Sequence, residues 1–236
     1  MWKQARASSS FFLFNQYEKI YNERNLEKEK SRKSNREKFE STLNTIQSET
    51  FFLQTQKEKN CEILIEMNNV NVGWGDNQVL VDLNWKLKAG EHRLIRGPNG
   101  SGKTTFLELI TGDNMQVFSN DIKIFGARRG SGETIWDIKR RLGIVSYRLH
   151  VEYRMVGSTT LENVIISGFR DSIGLYEAAT DVEKSTAKKW LELGGFSGRE
   201  KETFNSISYG EQRAILILRA AVKCPPLLIL DEPCHG

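Results

Sequence analysis

The chain is predicted to fold as an α/β domain with a parallel sheet at its centre, and three segments carry that prediction. Gly97-Pro98-Asn99-Gly100-Ser101-Gly102-Lys103-Thr104-Thr105 is a glycine-rich turn closed by Lys-Thr, set between a short apolar run and a helical pattern. Leu227-Leu228-Ile229-Leu230 is an uninterrupted apolar run that ends in Asp231-Glu232, as a buried parallel strand with acids at its C-terminal edge would read. From Ile63 to Leu87 apolar and polar residues alternate, which predicts strands and a hairpin.

Taken in order, Ile63-Leu64-Ile65, Val70-Asn71-Val72, Val79-Leu80-Val81 and Leu83 to Leu87 are the predicted strands of an antiparallel part. Leu94-Ile95-Arg96 is predicted as a further short strand that leads into the glycine turn, with Thr104 to Ile110 as a helix behind it. Glycines at 97, 100 and 102 admit positive φ and a close backbone approach, so successive N–H groups can converge on an anion at the helix start. Lys103 can reach the terminal phosphates of a nucleotide, and the Thr104 hydroxyl can meet the accompanying Mg²⁺. The candidate nucleotide-binding set is therefore Gly97, Asn99, Gly100, Ser101, Gly102, Lys103, Thr104 and Thr105. Thr160 to Ile166 and Val182 to Leu193 are the best helices of a segment spanning about 148–205. Ser208 is placed as the N-cap of a helix that runs through Ala221. Asp231 then holds the metal, and Glu232 polarises the attacking water as general base.

The order of these pieces resembles the nucleotide-binding domain of ABC ATPases: a Walker A loop, a Ser-x-Gly element opening a helix, and a Walker B strand close behind. The resemblance implies a P-loop NTPase core with an antiparallel β subdomain and a helical subdomain, using ATP and Mg²⁺. It also implies that Ser208, Gly210, Glu211 and Gln212 form the signature that meets a nucleotide held by a second ABC domain, in a head-to-tail pair. Tyr209 and Glu211 stand where the family has Gly and Gln. Trp74 falls where an aromatic stacks on adenine, with a buried core tryptophan as the competing reading. Gly143 to Tyr147 is where the family's Q-loop should begin, and no glutamine is there. Ser119-Asn120-Asp121, Phe125-Gly126, Gly130 to Lys139 and Asp171 to Tyr176 further resemble the second half of tandem molybdate-transport ATP-binding proteins.

Composition bounds the alternatives. The 236 residues are 39% hydrophobic, without a run near the 18 apolar residues of a membrane span, so a transport role implies separate membrane permease subunits. Cys61, Cys224 and Cys234 lack metal-ligand spacing and fit a reducing, cytoplasmic setting at the inner face of a membrane. Residues 1–60 hold 12 Lys/Arg against 8 Asp/Glu and so contain the whole formal net charge of +4. They are expected to form a charged linker of low order. Phe39, Leu43 and Ile46 recur at helical spacing there and could dock. This basic leader keeps nucleic acid or ribosomes as an alternative partner, and a non-catalytic nucleotide-binding remnant is the third reading. Gly236 follows four residues after Glu232, so the family's D-loop and switch-histidine strand are expected to be missing; His235 lies too close to be that histidine. On that expectation residues 61–236 are a partial domain that hydrolyses ATP hardly at all.

Overall fold

A computed structural model of the chain describes residues 62–232 and scattered positions between 30 and 45. The chain divides into two units, Met1–Glu49 and Thr50–Gly236. In the first, the described positions are helical and almost all exposed, and Arg36 pairs with Glu40 at 2.8 Å one turn on. Phe39, Leu43 and Ile46 lie outside the described residues, as do Cys61, Cys234 and His235.

The second unit opens with a long antiparallel hairpin, β1 (Ile63–Trp74) and β2 (Asn77–Lys88), closed at its tip by the pair Trp74 and Asn77. β3 (Asp121–Ile124) pairs along the other side of β1, and β4 (Ala127–Arg128) adds the last strand of the order β2-β1-β3-β4. The inward set of β1 is Ile65 and Met67, then Val70 and Val72, so the alternation slips by one residue between the two pairs. A bulge absorbs the slip and keeps all four side chains on the core face. Asn69 takes a φ of 50° there, and asparagine tolerates that better than most residues. Side chains replace the lost ladder bonds: Asn84 Oδ1 accepts from Asn69 N–H at 2.9 Å, and Asn120 Oδ1 accepts from Asn71 N–H at 2.8 Å.

α1 (Lys103–Thr111) lies on this sheet through Phe106, Leu109 and Ile110, with the Phe106 ring 4.9 Å from that of Trp85 in an edge contact. A separate parallel pair, β5 (Leu142–Val145) and β6 (Leu227–Leu230), runs in the register Leu142 to Leu227 and Val145 to Leu230. α2 (Ile135–Lys139) precedes β5, and Ile138, Leu142, Leu227 and Ile229 belong to the same core as the hairpin.

Between β5 and β6 the chain is helical: α3 (Tyr147–Val156), α4 (Leu161–Ser167), α5 (Asp181–Leu193) and α6 (Tyr209–Ala221). α4 is buried on most sides by Leu161, Val164, Ile165 and Ile166, and it packs on α5 and α6. A polar knot crosses this apolar packing. Tyr153 Oη bonds Ser167 Oγ and donates to Ser172 O at 3.1 Å; Arg219, 4% exposed, donates to Tyr153 Oη at 2.8 Å and to Ser172 O at 3.0 Å. Lys223 Nζ reaches both oxygens of Asp171 at 2.6 Å. The side chains of Tyr153, Arg219 and Lys223 thus find acceptors on other segments, which ties the helices together.

One expected element differs. Leu94-Ile95-Arg96 forms no strand: residues 91–98 have no strand pairing among the described residues, and Leu94 is 76% exposed. An apolar run becomes a strand only where a ladder partner takes its backbone groups, and β5 and β6 pair with each other instead.

Tyr153→Phe is expected to lower the unfolding free energy by about 1 kcal/mol, because the buried Arg219 Nε loses its shorter acceptor and keeps only Ser167 Oγ at 3.2 Å. Urea unfolding of the variant beside the parent measures it; an unchanged midpoint would show the knot to be dispensable.

Candidate functional site

The glycine turn is held against the hairpin. Gly100 and Gly102 take φ of 81° and 86°, and a Cβ at Gly102 would come within 3.0 Å of both Leu80 Cδ2 and Val79 Cγ1 of β2. Only glycine meets both demands, so β2 sets the height of the loop. Gly102 is the N-cap of α1 and supplies no side-chain acceptor. By contrast α2, α3, α4, α5 and α6 are capped by Thr134, Ser146, Thr160, Thr180 and Ser208. The first amides of α1 are therefore the ones left for an external anion.

Lys103 folds back over the turn, donating from Nζ to the carbonyls of Gly97 at 2.7 Å and Pro98 at 2.8 Å. Gly97, Asn99, Gly100, Ser101 and Thr104 are exposed, whereas Thr105 is 9% exposed and packs inward. Asp231 is fixed at the end of β6, where its N–H donates to Val145 O at 2.9 Å. Burial raises its pKa, the Glu232 carboxylate raises it further, and Arg213 and Lys103 act in the opposite sense. Lys103 therefore lies within electrostatic reach of Asp231. A divalent cation would relieve the repulsion between two neighbouring carboxylates, and Thr104 offers an exposed hydroxyl in the first turn of α1, so the chemistry of the donor set fits Mg²⁺. Glu232 itself is exposed and sits at a φ of 47°. Arg213 Nη2 holds its carbonyl at 2.7 Å while Nη1 donates to Ser146 O at 3.4 Å.

Trp74 is 54% exposed at the hairpin tip, which removes the buried-core reading. Gln116 clamps the residue before it, accepting from Gly73 N–H at 3.3 Å and donating to Gly73 O at 2.9 Å. Its ring face is thus free to stack on a flat partner.

At the start of α6, Ser208 and Glu211 form a reciprocal capping box. Gly210 is exposed, and a Cβ there would meet nothing within 4 Å. Glu211 pairs with Arg199 at 2.6 Å; that partner, with two hydrogen bonds from Ser208, lowers its pKa to about 2. Gln212 differs from its expected place at a domain-facing surface. It is 5% exposed, and its amide donates to Phe204 O at 3.0 Å and Ile207 O at 3.2 Å. Its Oε1 is 2.7 Å from His150 Nε2, so His150 carries its proton on Nε2 and keeps Nδ1 as a buried acceptor without a partner. The His150 ring also lies 4.6 Å from that of Tyr209. In the Gly143–Tyr147 segment, β5 ends and Ser146 caps α3 through Leu149 N–H at 3.3 Å.

Sequence reasoning missed Arg213, Arg199, Gln116 and His150 as supports. Arg213 alone left a trace, as a charge on the inward face of an otherwise apolar helix pattern.

A family model described as ABC transporter matches residues 80–235. The ABC transporter ATP-binding protein ModF of Escherichia coli is 51% identical over 173 residues, covering 73% of this chain and 35% of its own length. An uncharacterized ABC transporter ATP-binding protein, YmeB of Lactococcus lactis, is 32% identical and 65% covered. The chain thus spans about a third of the first relative and under two thirds of the second. Among solved structures, cbiO1 from Clostridium perfringens, part of the ABC transporter complex cbiONQ, is 22% identical with a TM-score of 0.62 over 74% of this chain and 67% of its own. A nucleotide-free ATP-binding cassette from an ABC transporter gives 0.56 at 22% identity, covering 74% and 70%. Both show the fold.

Burial depresses the His150 pKa below its ordinary 6.5, and Arg213 and Arg154 add to the effect. The unfolded chain then binds the proton more readily, so stability is expected to fall as pH drops through about 6.5 and below. Thermal unfolding at pH 7.5 and 5.5 checks this: the loss should shrink in His150→Asn, and an equal loss in both would remove His150 as its source.

Proposed function

The chain belongs to the ABC transporter family, and on that footing we propose that in the full-length protein it binds and hydrolyses ATP with Mg²⁺, paired head to tail with a second ABC nucleotide-binding domain. One observation carries the reading: α1 alone among the α-helices with described starts lacks a side-chain cap, and Lys103 in its first turn lies within electrostatic reach of Asp231.

The amides of Gly100 to Thr105 hold the phosphates and Lys103 exchanges its two carbonyl acceptors for phosphate oxygens. Trp74 stacks on the base. Thr104 and Asp231 would hold Mg²⁺, which when bound would supply charge neutralisation at the terminal phosphates. Glu232 takes the proton of the attacking water, its backbone fixed by Arg213. Ser208 and Gly210 present the start of α6 to the γ-phosphate of the partner. No helix among the described residues is long and apolar enough to cross a membrane, so a transport role assigns that task to permease subunits. The likeness of segments 119–139 and 171–176 to tandem molybdate-type proteins supports a molybdate-related system, with the cytoplasmic face of a membrane as the place of work.

In the full-length protein, Lys103→Ala is expected to abolish ATP binding, read by titration with a fluorescent nucleotide; binding at parental affinity would remove the loop from the site. Glu232→Gln should keep binding, slow hydrolysis by at least about 100-fold and accumulate the ATP-bound pair. Parental turnover in that variant would assign the base elsewhere.

A further inference from the structure

We propose that Arg199 is a positioning residue for the signature serine: its guanidinium neutralises Glu211 and holds it back, so that Ser208 can receive the γ-phosphate of the partner's nucleotide. The inference rests on the paired reading above.

The argument starts from one proton. Ser208 has a single hydroxyl hydrogen, and it is donated to Glu211 Oε2 at 2.7 Å; the same oxygen accepts from Ser208 N–H at 2.9 Å. A phosphate arriving at Ser208 must take that hydrogen. The exchange leaves an ionised carboxylate beside a polyanion, at the helix start meant to attract the polyanion. A neutral amide in this position, as in the family pattern, brings no such repulsion.

Arg199 supplies the missing compensation. It reaches Glu211 Oε1 at 2.6 Å from the turn between α5 and α6, so the carboxylate is held by its far oxygen when Oε2 loses the serine. Glu202 holds the guanidinium in place, through Nε at 3.0 Å and Nη2 at 2.8 Å, and the Phe196 ring lies 5.3 Å beneath it. Arg199 therefore serves two carboxylates with one charge. Without it, Glu202 and Glu211 would both face the incoming phosphate uncompensated.

The test uses the full-length protein carrying Glu232→Gln, and reads pairing of the nucleotide-binding domains, within one chain or between chains, by small-angle X-ray scattering across an ATP titration. Arg199→Gln in that background is expected to raise the ATP needed for half-maximal pairing by roughly 10-fold or more. Adding Glu211→Gln should bring it back to within about 3-fold of the parent, because the charge that needed neutralising is gone. A purely structural arginine would give no such rescue. Parental pairing by Arg199→Gln, or a double variant as weak as the single one, overturns the proposal. A parent that fails to pair at saturating ATP overturns the paired reading, and the role of Arg199 falls with it.

Discussion

The first turn of α1 leaves its backbone N–H groups without a side-chain acceptor, and an anion is the partner that such a terminus favours. That arrangement is stable only because Gly102 can adopt a left-handed backbone while touching Leu80 and Val79. The hairpin therefore does more than bury its own apolar face. It fixes the loop in height, its tip carries Trp74, and its core joins that of α1 and of the β5–β6 pair.

The acidic side of the site is held by a different device. β6 pairs with β5 in parallel, and the ladder continues one residue further through Asp231 N–H to Val145 O. From there Arg213 ties the backbone of Glu232 to Ser146 and to the helix that begins at Ser208. In the same helix Gln212 closes a second buried contact to His150, which leaves the exposed first turn to Ser208 and Gly210.

Much of the site could be read along the chain, since its parts are contiguous. The loop 97–105, the strand 227–230 with its acids, and the cap at Ser208 are each set within a few residues of sequence, where spacing and side-chain type decide conformation. The strand expected at 94–96 failed for a non-local reason: alternation proposes an extended segment, but only a neighbouring strand makes it part of a sheet. The ABC resemblance assigns Gln212 to the partner-facing signature. Its burial depends on Phe204, Ile207 and His150, which come from other turns and another helix.

By itself the sequence determined the family, the glycine turn at the start of α1, the strand that ends in Asp231 and Glu232 and the run of helices between β5 and β6. Those follow from local steric limits and from periodic burial, both of which act over a few residues. The tertiary structure decided that Trp74 is exposed, that Arg213 holds the backbone of Glu232 and Arg199 the carboxylate of Glu211, and that a bulge rescues the phase of β1. Such matters depend on which distant segment supplies a buried donor with its acceptor, and no spacing along a single strand or helix encodes that choice.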